Sequence, residues 1–259
     1  MLTLILPMQA GNYDFYGGTS GLLIPIPKRD FSPEFASCSR LQYYATLFNS
    51  IEINSSFYKL PMPSTVAKWA AEVPENFRFT FKLWRQITHN KELIFDDADV
   101  ARFLDVVNNA GARKGSVLVQ FPPSLTVSAR AQLAHLLNTI TEADNHPEWD
   151  IAVEFRHRSW YNDEIYDLLA SFNAGLVLQD IPKSATPQVI TADNFVYLRF
   201  HGPSGNYKGS YNDEVLSEYS YYIREWQQEG KKVYVYFNNT AGDALNNLFT
   251  LKRYLNDYE

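Results

Sequence analysis

The chain has 259 residues and a net charge of −6, with 46% hydrophobic and 20% charged residues, a composition that indicates a globular domain and excludes a disordered chain. Its single cysteine excludes an intramolecular disulfide and any site built from several cysteine ligands. The acidic balance argues against non-specific binding of duplex nucleic acid, which requires a basic surface.

The first segment, residues 1–8, is apolar, but it does not resemble a membrane span or an export signal. It lacks a basic start, is interrupted by Pro7 and is shorter than the roughly 20 residues that a span needs. We therefore expect no membrane partner. A reduced, cytoplasmic location is expected for a chain with one cysteine and no export signal.

Eight β-rich apolar runs follow, spaced at the size of a βα unit. They begin at Phe15, Ser50, Phe77, Gly115, Asp150, Gly175, Phe195 and Lys232. Apolar residues at helical spacing predict helices over 100–107, 133–140, 165–172, 216–226 and 248–255. Ser64 and Ser128 are predicted helix N-caps, and Gly175 is predicted to stop the third of these helices.

This alternation predicts a parallel sheet with helices outside it. Eight units favour a TIM-like (β/α)8 barrel that takes residues 1–259 as a single domain. No GxGxxG follows the first strand, so an open dinucleotide-binding sheet lacks its main signature. The sixth crossover is predicted to be irregular, because Pro182 and Pro187 leave little room for a helix between Asp180 and Phe195.

Polar residues recur near the carboxyl ends of the predicted strands. Strand alternation turns Phe77, Phe79 and Phe81 toward the helices and the intervening residues into the barrel. The inward polar positions are Glu52, Asn54, Lys82, Gln120, Glu154, Arg156, Asp180, Arg199, His201 and Asn238. Barrel active sites lie at this end of the strands, so the pattern predicts a ligand site at the mouth.

A structural alternative to a ligand site is an interlocked polar plug. In that arrangement Glu52–Lys82 and Glu154–Arg156 would be buried ion pairs. Burying such groups without a partner or a ligand is costly, so either a plug or a site must account for them.

Six motifs carry a family resemblance. They are IEINSSFY at 51–58, FTFK at 79–82, QFPP at 120–123, VEFRHRSW at 153–160, RFHG at 199–202 and YFNNT at 236–240. With these motifs the chain resembles, over nearly its whole length, the DUF72 family of YecE-like proteins. The resemblance implies a TIM-like barrel of bacterial origin with no established activity. Where the family usually has an aromatic Gly-Trp-Ser-Tyr type segment, this chain reads Leu-Leu-Ile-Pro after Gly21.

The preferred hypothesis is an enzyme, either a hydrolase or a lyase or isomerase, that acts on a small phosphorylated or carboxylated substrate. Lys82 and Arg199 would bind charge, and Lys82 could also act as a base or a Schiff-base amine. Glu154 and Glu52 would be catalytic carboxylates, with His201 assisting proton transfer. Further predicted substrate contacts are Arg156, Asn54, Gln120, Asn238, Asn239 and Gly202.

Backbone amides provide a second possible anion site. The segments GPSG at 202–205 and NTAG at 239–242 fall where barrels often bind phosphate through loop amides and a helix N-terminus. Helix capping by Asn and Thr is the structural alternative.

Three other functions remain open. A metal-dependent phosphodiesterase or nuclease, similar to endonuclease IV-like barrels, would act on nucleic acid or a nucleotide. It would hold a divalent metal with Glu52, Glu154, Asp180 and His201, and His89 or His157 could add a further ligand. A glycosidase would use Glu52 and Glu154 as its carboxylate pair. A non-catalytic protein would bind a ligand at the mouth. The preferred hypothesis requires no cofactor or metal, since no HxH or HExxH spacing occurs.

Overall fold

The computed structural model describes residues 14–144 and 148–256, so the apolar segment at residues 1–8 lies outside the described residues. The strands are β1 (Phe15–Thr19), β2 (Ser50–Ile53), β3 (Arg78–Lys82), β4 (Lys114–Gln120), β5 (Asp150–Glu154), β6 (Gly175–Leu176), β7 (Leu178–Gln179), β8 (Phe195–Phe200) and β9 (Lys232–Phe237). The α-helices are α1 (Arg40–Leu47), α2 (Ser55–Tyr58), α3 (Pro63–Ala71), α4 (Arg85–Thr88), α5 (Asp97–Val107), α6 (Arg130–Ala143), α7 (Asp163–Ser171), α8 (Asp213–Gln228) and α9 (Ala244–Asn256). Short 3-10 turns cover Lys28–Asp30, Pro33–Phe35, Lys91–Leu93, Asn108–Arg113, Val127–Ala129 and Arg158–Trp160.

The strands form two parallel sheets, and each of the eight predicted runs contains a strand. One sheet has the order β2-β3-β4-β5-β6 and the other the order β1-β9-β8-β7. β6 and β7 are two parts of the predicted sixth strand, interrupted at Val177, so the chain itself passes between the sheets. An isolated parallel bridge between Ser20 and Glu52 joins β1 to β2. The order is that of a TIM-like barrel, as the sequence predicts.

Two strands end earlier than the apolar pattern suggests. β2 ends at Ile53 and is followed by α2, while β3 ends at Lys82 and is followed by α4. The Ser56 hydroxyl lies 2.7 Å from the Ile53 carbonyl oxygen and 2.8 Å from that of Lys82. This hydroxyl therefore fastens α2 across the ends of both strands, a contact that strand propensity does not reveal.

The N-caps differ from those predicted. Ser64 lies inside α3, whose N-cap is Met62, and Ser128 lies in the 3-10 turn before α6. The capping box instead belongs to α1, where the Ser39 hydroxyl accepts from the Gln42 amide at 3.1 Å. The Gln42 side-chain oxygen accepts in return from the Ser39 amide at 2.7 Å.

The residue that ends α7 also differs from the prediction. Gly175 begins β6, and the left-handed position after α7 is Asn173, with φ of 49°. Asparagine tolerates this conformation. Its side chain also donates to Asn194 Oδ1 at 2.9 Å and accepts from the Asp193 amide at 2.8 Å, which fixes the end of α7 to the start of β8.

The sixth crossover contains no helix between β7 and β8, as predicted. Threonine side chains hold the segment against the sheet. Thr186 Oγ1 donates to the Val177 carbonyl at 2.9 Å, and Thr191 Oγ1 donates to the Ala174 carbonyl at 2.6 Å. Thr191 Oγ1 also accepts from the Leu176 amide at 2.8 Å, so this hydroxyl substitutes for a missing neighbour of the short strand.

The main core lies between the strands and the surrounding helices. Phe77, Phe79 and Phe81 are fully buried there beside helix residues such as Phe103 and Leu104, which confirms the predicted face. In the described residues, no helix combines the length and the apolar character that crossing a membrane would need.

The barrel interior is a separate cluster rich in tyrosine, with hydroxyls that reach the opposite sheet. Tyr236 Oη lies 2.5 Å from Ser50 Oγ and 2.8 Å from Thr80 Oγ1. Tyr234 Oη donates to Asp150 Oδ2 at 2.8 Å. These bonds connect β9 to β2, β3 and β5, so polar contacts join the two sheets through the interior.

Candidate functional site

An arginine lies between two buried glutamates near the carboxyl ends of the strands. Arg199 on β8 donates from Nε and Nη2 to the two Glu52 oxygens at 2.9 and 2.6 Å, and from Nη1 to Glu154 Oε2 at 2.6 Å. The arginine is 2% exposed and both glutamates are 0% exposed. The partner of Glu52 is thus Arg199 and not Lys82, because the guanidinium fork matches a carboxylate.

Both glutamates are held in the ionised form. Burial alone would raise the pKa of Glu52, but Arg199 and hydrogen bonds from Ser20 at 2.5 Å and Tyr197 at 2.7 Å lower it below the usual range. Burial opposes ionisation of Glu154 as well, yet the charges of nearby arginines hold the pKa of Glu154 far below its usual range. Neither carboxylate is therefore suited to donate a proton at neutral pH.

Arg156 extends the charged network toward the opening. Its Nε donates to Glu154 Oε1, which confirms this ion pair, and its side chain is 11% exposed. Nη2 lies 2.9 Å from His201 Nε2, and Nη1 donates to the Tyr207 hydroxyl at 3.3 Å. Arg156 is thus the arginine of the network that reaches the edge of the site.

His201 connects the network to Asp180. Asp180 Oδ1 accepts from the His201 amide at 2.8 Å and lies 3.3 Å from Nδ1. This contact places the proton of the neutral ring on Nδ1 and leaves Nε2 as the acceptor that faces Arg156. Burial lowers the pKa of His201, although Asp180 opposes the shift, so the ring is neutral at pH 7. Asp180 Oδ2 also accepts from the Tyr211 hydroxyl.

Lys82 differs from both arginines because no carboxylate pairs with it. No salt bridge or hydrogen bond of its Nζ occurs within residues 14–144 and 148–256, and Nζ instead lies 4.2 Å from the centroid of the Phe57 ring. Burial and the nearby Arg199 lower the pKa of Lys82 to about 8, against the opposing effects of Glu154 and Glu52. Of the two ion pairs in the predicted plug, Glu154–Arg156 forms, whereas Glu52 pairs with Arg199 in place of Lys82.

His89 lies between this lysine and a neighbouring cavity. Its ring packs edge-on against Phe57, with centroids 4.8 Å apart, and Nδ1 lies 2.9 Å from Thr88 Oγ1. Burial lowers the pKa of His89 to about 4, and the charges of Lys82 and Arg85 act in the same direction. On its other side His89 lines a cavity of about 430 Å3 between the loops at 89–92 and 122–129.

The backbone amides predicted to bind phosphate are already occupied. The Gly202 amide donates to the Tyr211 hydroxyl at 2.5 Å, and the Gly205 amide donates to the Gly202 carbonyl at 2.7 Å. The Gly242 amide donates to the Asn239 carbonyl at 2.9 Å. These three amides therefore donate to groups of the protein and are not free to form the phosphate site that the sequence suggests.

Asn239 and Gly202 both make structural contacts in the loops around the mouth. Asn239 is buried, and its Nδ2 donates to the Gly209 carbonyl at 3.0 Å and to Asn247 Oδ1 at 2.9 Å. Gly202 has φ of 92°, and a Cβ atom there would lie 2.2 Å from the Lys208 carbonyl oxygen. Only glycine fits this position, so Gly202 shapes the loop that carries Tyr207.

The other predicted substrate contacts lie around the network. Gln120 ends β4, and its Nε2 donates to the Phe121 carbonyl. Asn54 precedes α2 and Asn238 follows β9, and both are half-buried. Within the described ranges neither of these two asparagines makes a side-chain hydrogen bond to the glutamates or arginines of the network.

Two tyrosines of the site were not predicted. Tyr207 packs edge-on against His201, with centroids 5.7 Å apart, and Tyr211 holds Asp180. Both belong to the irregular loop after β8, where no periodicity assigns a direction to a side chain. Tyr197 lies two residues before Arg199 on β8 and therefore on the same face, so strand alternation predicted an inward position for both.

The segment after Gly21 is apolar and packed. The Gly21 amide donates to the Glu52 carbonyl at 2.8 Å, so the segment leaves β1 beside the network. Leu22, Leu23 and Ile24 pack against the main core.

The residues proposed for a metal site do not converge as a ligand set. In the parts of the chain that the structure describes, no group of three or more His, Cys, Asp or Glu side chains is arranged to hold a metal ion. The oxygens of Glu52 and Glu154 accept hydrogen bonds from arginines, and one Asp180 oxygen accepts from Tyr211.

Comparison with known proteins finds bacterial relatives of this chain. The model of the family described as "Protein of unknown function DUF72" matches residues 26–259. The UPF0759 protein YunF of Bacillus subtilis is 30% identical over 253 residues, covering 84% of this chain and 86% of that protein.

Solved structures agree with the fold. A DUF72 family protein of Thermotoga maritima superposes with a TM-score of 0.73 and 26% identity, over 93% of this chain and 99% of that one. A DUF72 family protein of Enterococcus faecalis superposes with a TM-score of 0.77 and 24% identity, over 93% and 95% of the two chains. The second likeness concerns the fold alone.

Proposed function

The chain belongs to the DUF72 family, a family of unknown function, and from this premise we propose that the mouth of its TIM-like barrel is the active site of an enzyme acting on a small anionic substrate. Lys82 and Arg156 supply positive charge to the substrate. Arg199 holds the two glutamates in place, and His201 moves a proton.

The unpaired Lys82 carries this proposal. The two glutamates are paired with Arg199 and Arg156, and Asp180 bonds to His201 and Tyr211, so Lys82 is the cation of the site without a carboxylate partner in the described residues. A half-buried ammonium without a carboxylate is costly unless a ligand compensates it. An anionic group that reaches Lys82 and the exposed edge of Arg156 would remove this cost, whereas a cation would be repelled.

Arg199 and Glu154 have revised roles in this proposal. All three nitrogens of Arg199 contact protein groups: Nε and Nη2 donate to Glu52, and Nη1 donates to Glu154 and lies near His201. Arg199 is therefore assigned to holding the two glutamates, and Arg156 to the substrate. Glu154 is held ionised by two arginines and is unsuited to general acid catalysis. The neutral His201 ring, with its Nε2 toward Arg156, is the better proton acceptor.

Anion binding can be measured by calorimetric titration and thermal shift with inorganic phosphate, pyruvate and citrate as probes. We expect at least one probe to bind the wild-type protein and to lose about tenfold in affinity with Lys82→Met, because a charge-assisted hydrogen bond contributes about 1.5–3 kcal/mol. Lys68→Met is the matched control, since Lys68 lies on α3 and is exposed. Equal affinity of Lys82→Met and wild type would contradict the proposal.

Turnover distinguishes an enzyme from a binding protein. A panel of phosphorylated and carboxylated compounds should include one that is converted by the wild type and at least a hundredfold more slowly by His201→Gln. Binding without any turnover would favour the non-catalytic alternative. Turnover that appears only after addition of a divalent metal would favour the phosphodiesterase alternative.

A further inference from the structure

The amine of Lys82 is placed differently from that of a structural lysine. A lysine inside a barrel is normally held by a carboxylate, yet both nearby carboxylates are taken by Arg199 and Arg156. Lys82 is the last residue of β3, and its Nζ lies over the face of Phe57 at 4.2 Å from the ring centroid. The nitrogen therefore faces an apolar ring without a group that fixes its proton.

We propose that Lys82 is a nucleophilic amine that forms an imine with an aldehyde or ketone carrying an anionic group. This inference rests on the proposed function, because the anionic group must be held at the same mouth. It names the substrate class: a carbonyl compound with a carboxylate or phosphate close to its carbonyl carbon.

The step needs no oxidant or reductant. The Nζ lone pair forms a bond to the carbonyl carbon while the C=O π pair moves to oxygen, and one proton passes from nitrogen to that oxygen. The resulting carbinolamine takes a second proton on oxygen and loses water, and the nitrogen lone pair completes the C=N bond of a protonated imine. Loss of the proton on nitrogen returns the proton that was borrowed and leaves the neutral imine. The products are the imine and one water molecule.

The surrounding groups fit this chemistry. Lys82 interacts electrostatically with Arg199, Glu154, Glu52 and Arg156, and His89 lies on the other side of Phe57. Burial and the arginines lower the pKa of Lys82 to about 8. At pH 7 roughly a tenth of such an amine is unprotonated, against well under a thousandth of an ordinary lysine.

Two neighbours supply the remaining functions. Arg156 is the partly exposed arginine of the network and can hold the anionic group by a charge-assisted hydrogen bond. His201, neutral and with Nε2 toward Arg156, can transfer the protons that the carbinolamine requires. A carbonyl one or two bonds from the anionic group would lie between these residues and Lys82.

The test is reductive trapping of the intact protein at pH 7. The protein is incubated with glyoxylate and cyanoborohydride, and the labelling rate of each lysine is measured by peptide mass spectrometry. We expect Lys82 to be labelled at least about tenfold faster than the exposed Lys28 and Lys68, as its larger unprotonated fraction requires. Excess inorganic phosphate should slow the labelling of Lys82 alone.

Lys82→Arg separates this inference from the proposed function. The variant keeps the positive charge and should still bind phosphate, but it should lose the fast labelling. If Lys82 of the wild type reacts no faster than Lys28 and Lys68 while phosphate still binds, imine formation is wrong and anion binding stands. If none of phosphate, pyruvate and citrate binds or protects Lys82, the proposed function fails as well.

Discussion

Lys82 on β3 and Arg199 on β8 are both cations of the barrel interior, but only Arg199 is paired with Glu52 and Glu154. A paired charge and an unpaired charge respond in opposite ways to removal. Removal of Arg199 leaves the buried Glu52 without a cation and Glu154 with Arg156 alone, whereas removal of Lys82 takes away a charge that the fold tolerates at a cost. On the proposed function, Arg199 belongs to the structure and Lys82 is available to a ligand.

Substitution by methionine, which preserves length, should therefore separate the two cations. Lys82→Met should leave the melting temperature unchanged or raise it. Arg199→Met should destabilise the protein by about 3–5 kcal/mol, at roughly 2–4 °C per kcal/mol for a domain of this size. Thermal unfolding of both variants at pH 7 tests this. A fall of more than about 10 °C for Lys82→Met would show that the lysine is structural after all.

His89 should make stability depend on pH in a defined direction. Its pKa is lowered to about 4 by burial and by Lys82 and Arg85, so below its ordinary value of about 6.5 the unfolded state binds the proton more readily. Stability from this group is therefore complete above pH 6.5 and is lost as the pH falls toward 4. His201, whose pKa burial also lowers, contributes in the same direction.

Urea unfolding between pH 7 and pH 5 measures this dependence. His89→Gln should reduce the loss of stability across that range. His135→Gln is the control, since His135 is exposed on α6 and bonded to Asp97. Identical pH profiles for wild type and His89→Gln would disprove the assignment.

At the scale of elements, strands and helices were predictable from periodicity where burial of apolar side chains determines the structure. The eight strands and the helices α5 to α9 follow from spacing, and the inward positions of Glu52, Glu154 and Arg199 follow from alternation. The helix N-caps were not predictable, because a serine caps a helix only where the backbone begins the helix at that residue. Ser64 and Ser128 have a side chain suited to capping but lie within helical turns, whereas Ser39 lies at the N-cap position of α1.

The pairing of side chains within the site could not be predicted from the sequence either. Alternation places Lys82 and Arg199 on inward faces, but which of the two pairs with Glu52 depends on the distance that each side chain must span across the barrel. The irregular loop after β8 brings Tyr207 and Tyr211 to the site through contacts distant in sequence. No local pattern contains that information.

The capping box of α1 supports a matched pair of substitutions. Ser39→Ala should cost about 0.5–2 kcal/mol, because it removes the acceptor for the Gln42 amide and a 2.8 Å bond to Glu72. Ser64→Ala should be nearly neutral, because Ser64 is an exposed position inside α3. Chemical denaturation of both variants decides the point. Equal losses would mean that Ser39 does not act as a cap.

At the scale of the whole molecule, polar contacts across the interior join the two sheets. Arg199 connects β8 to β2 and β5, and the Tyr236 hydroxyl connects β9 to β2 and β3. The same sheets meet directly at the Ser20–Glu52 bridge. The interior tyrosines therefore contribute to the cohesion of the barrel as well as filling it.

Tyr236→Phe tests this cohesion. The change keeps the ring but leaves the Ser50 and Thr80 hydroxyls without their partner, and it should cost about 1–3 kcal/mol. Tyr219→Phe is the control, because Tyr219 lies on the outer helix α8 and packs against Phe200 through its ring. A loss for Tyr236→Phe no greater than that for Tyr219→Phe, measured by urea unfolding, would contradict the role of the hydroxyl.

The loop that carries Tyr207 has a consequence for the kinetics of ligand capture. It is tied to Asp180 by Tyr211, to Asn239 through Gly209 and to its own turn at Gly202, so it has little freedom to swing away as a gate. Uptake of an anion should then be a single encounter without a preceding opening step. The observed association rate should rise linearly with ligand concentration and should fall as added salt screens the attraction.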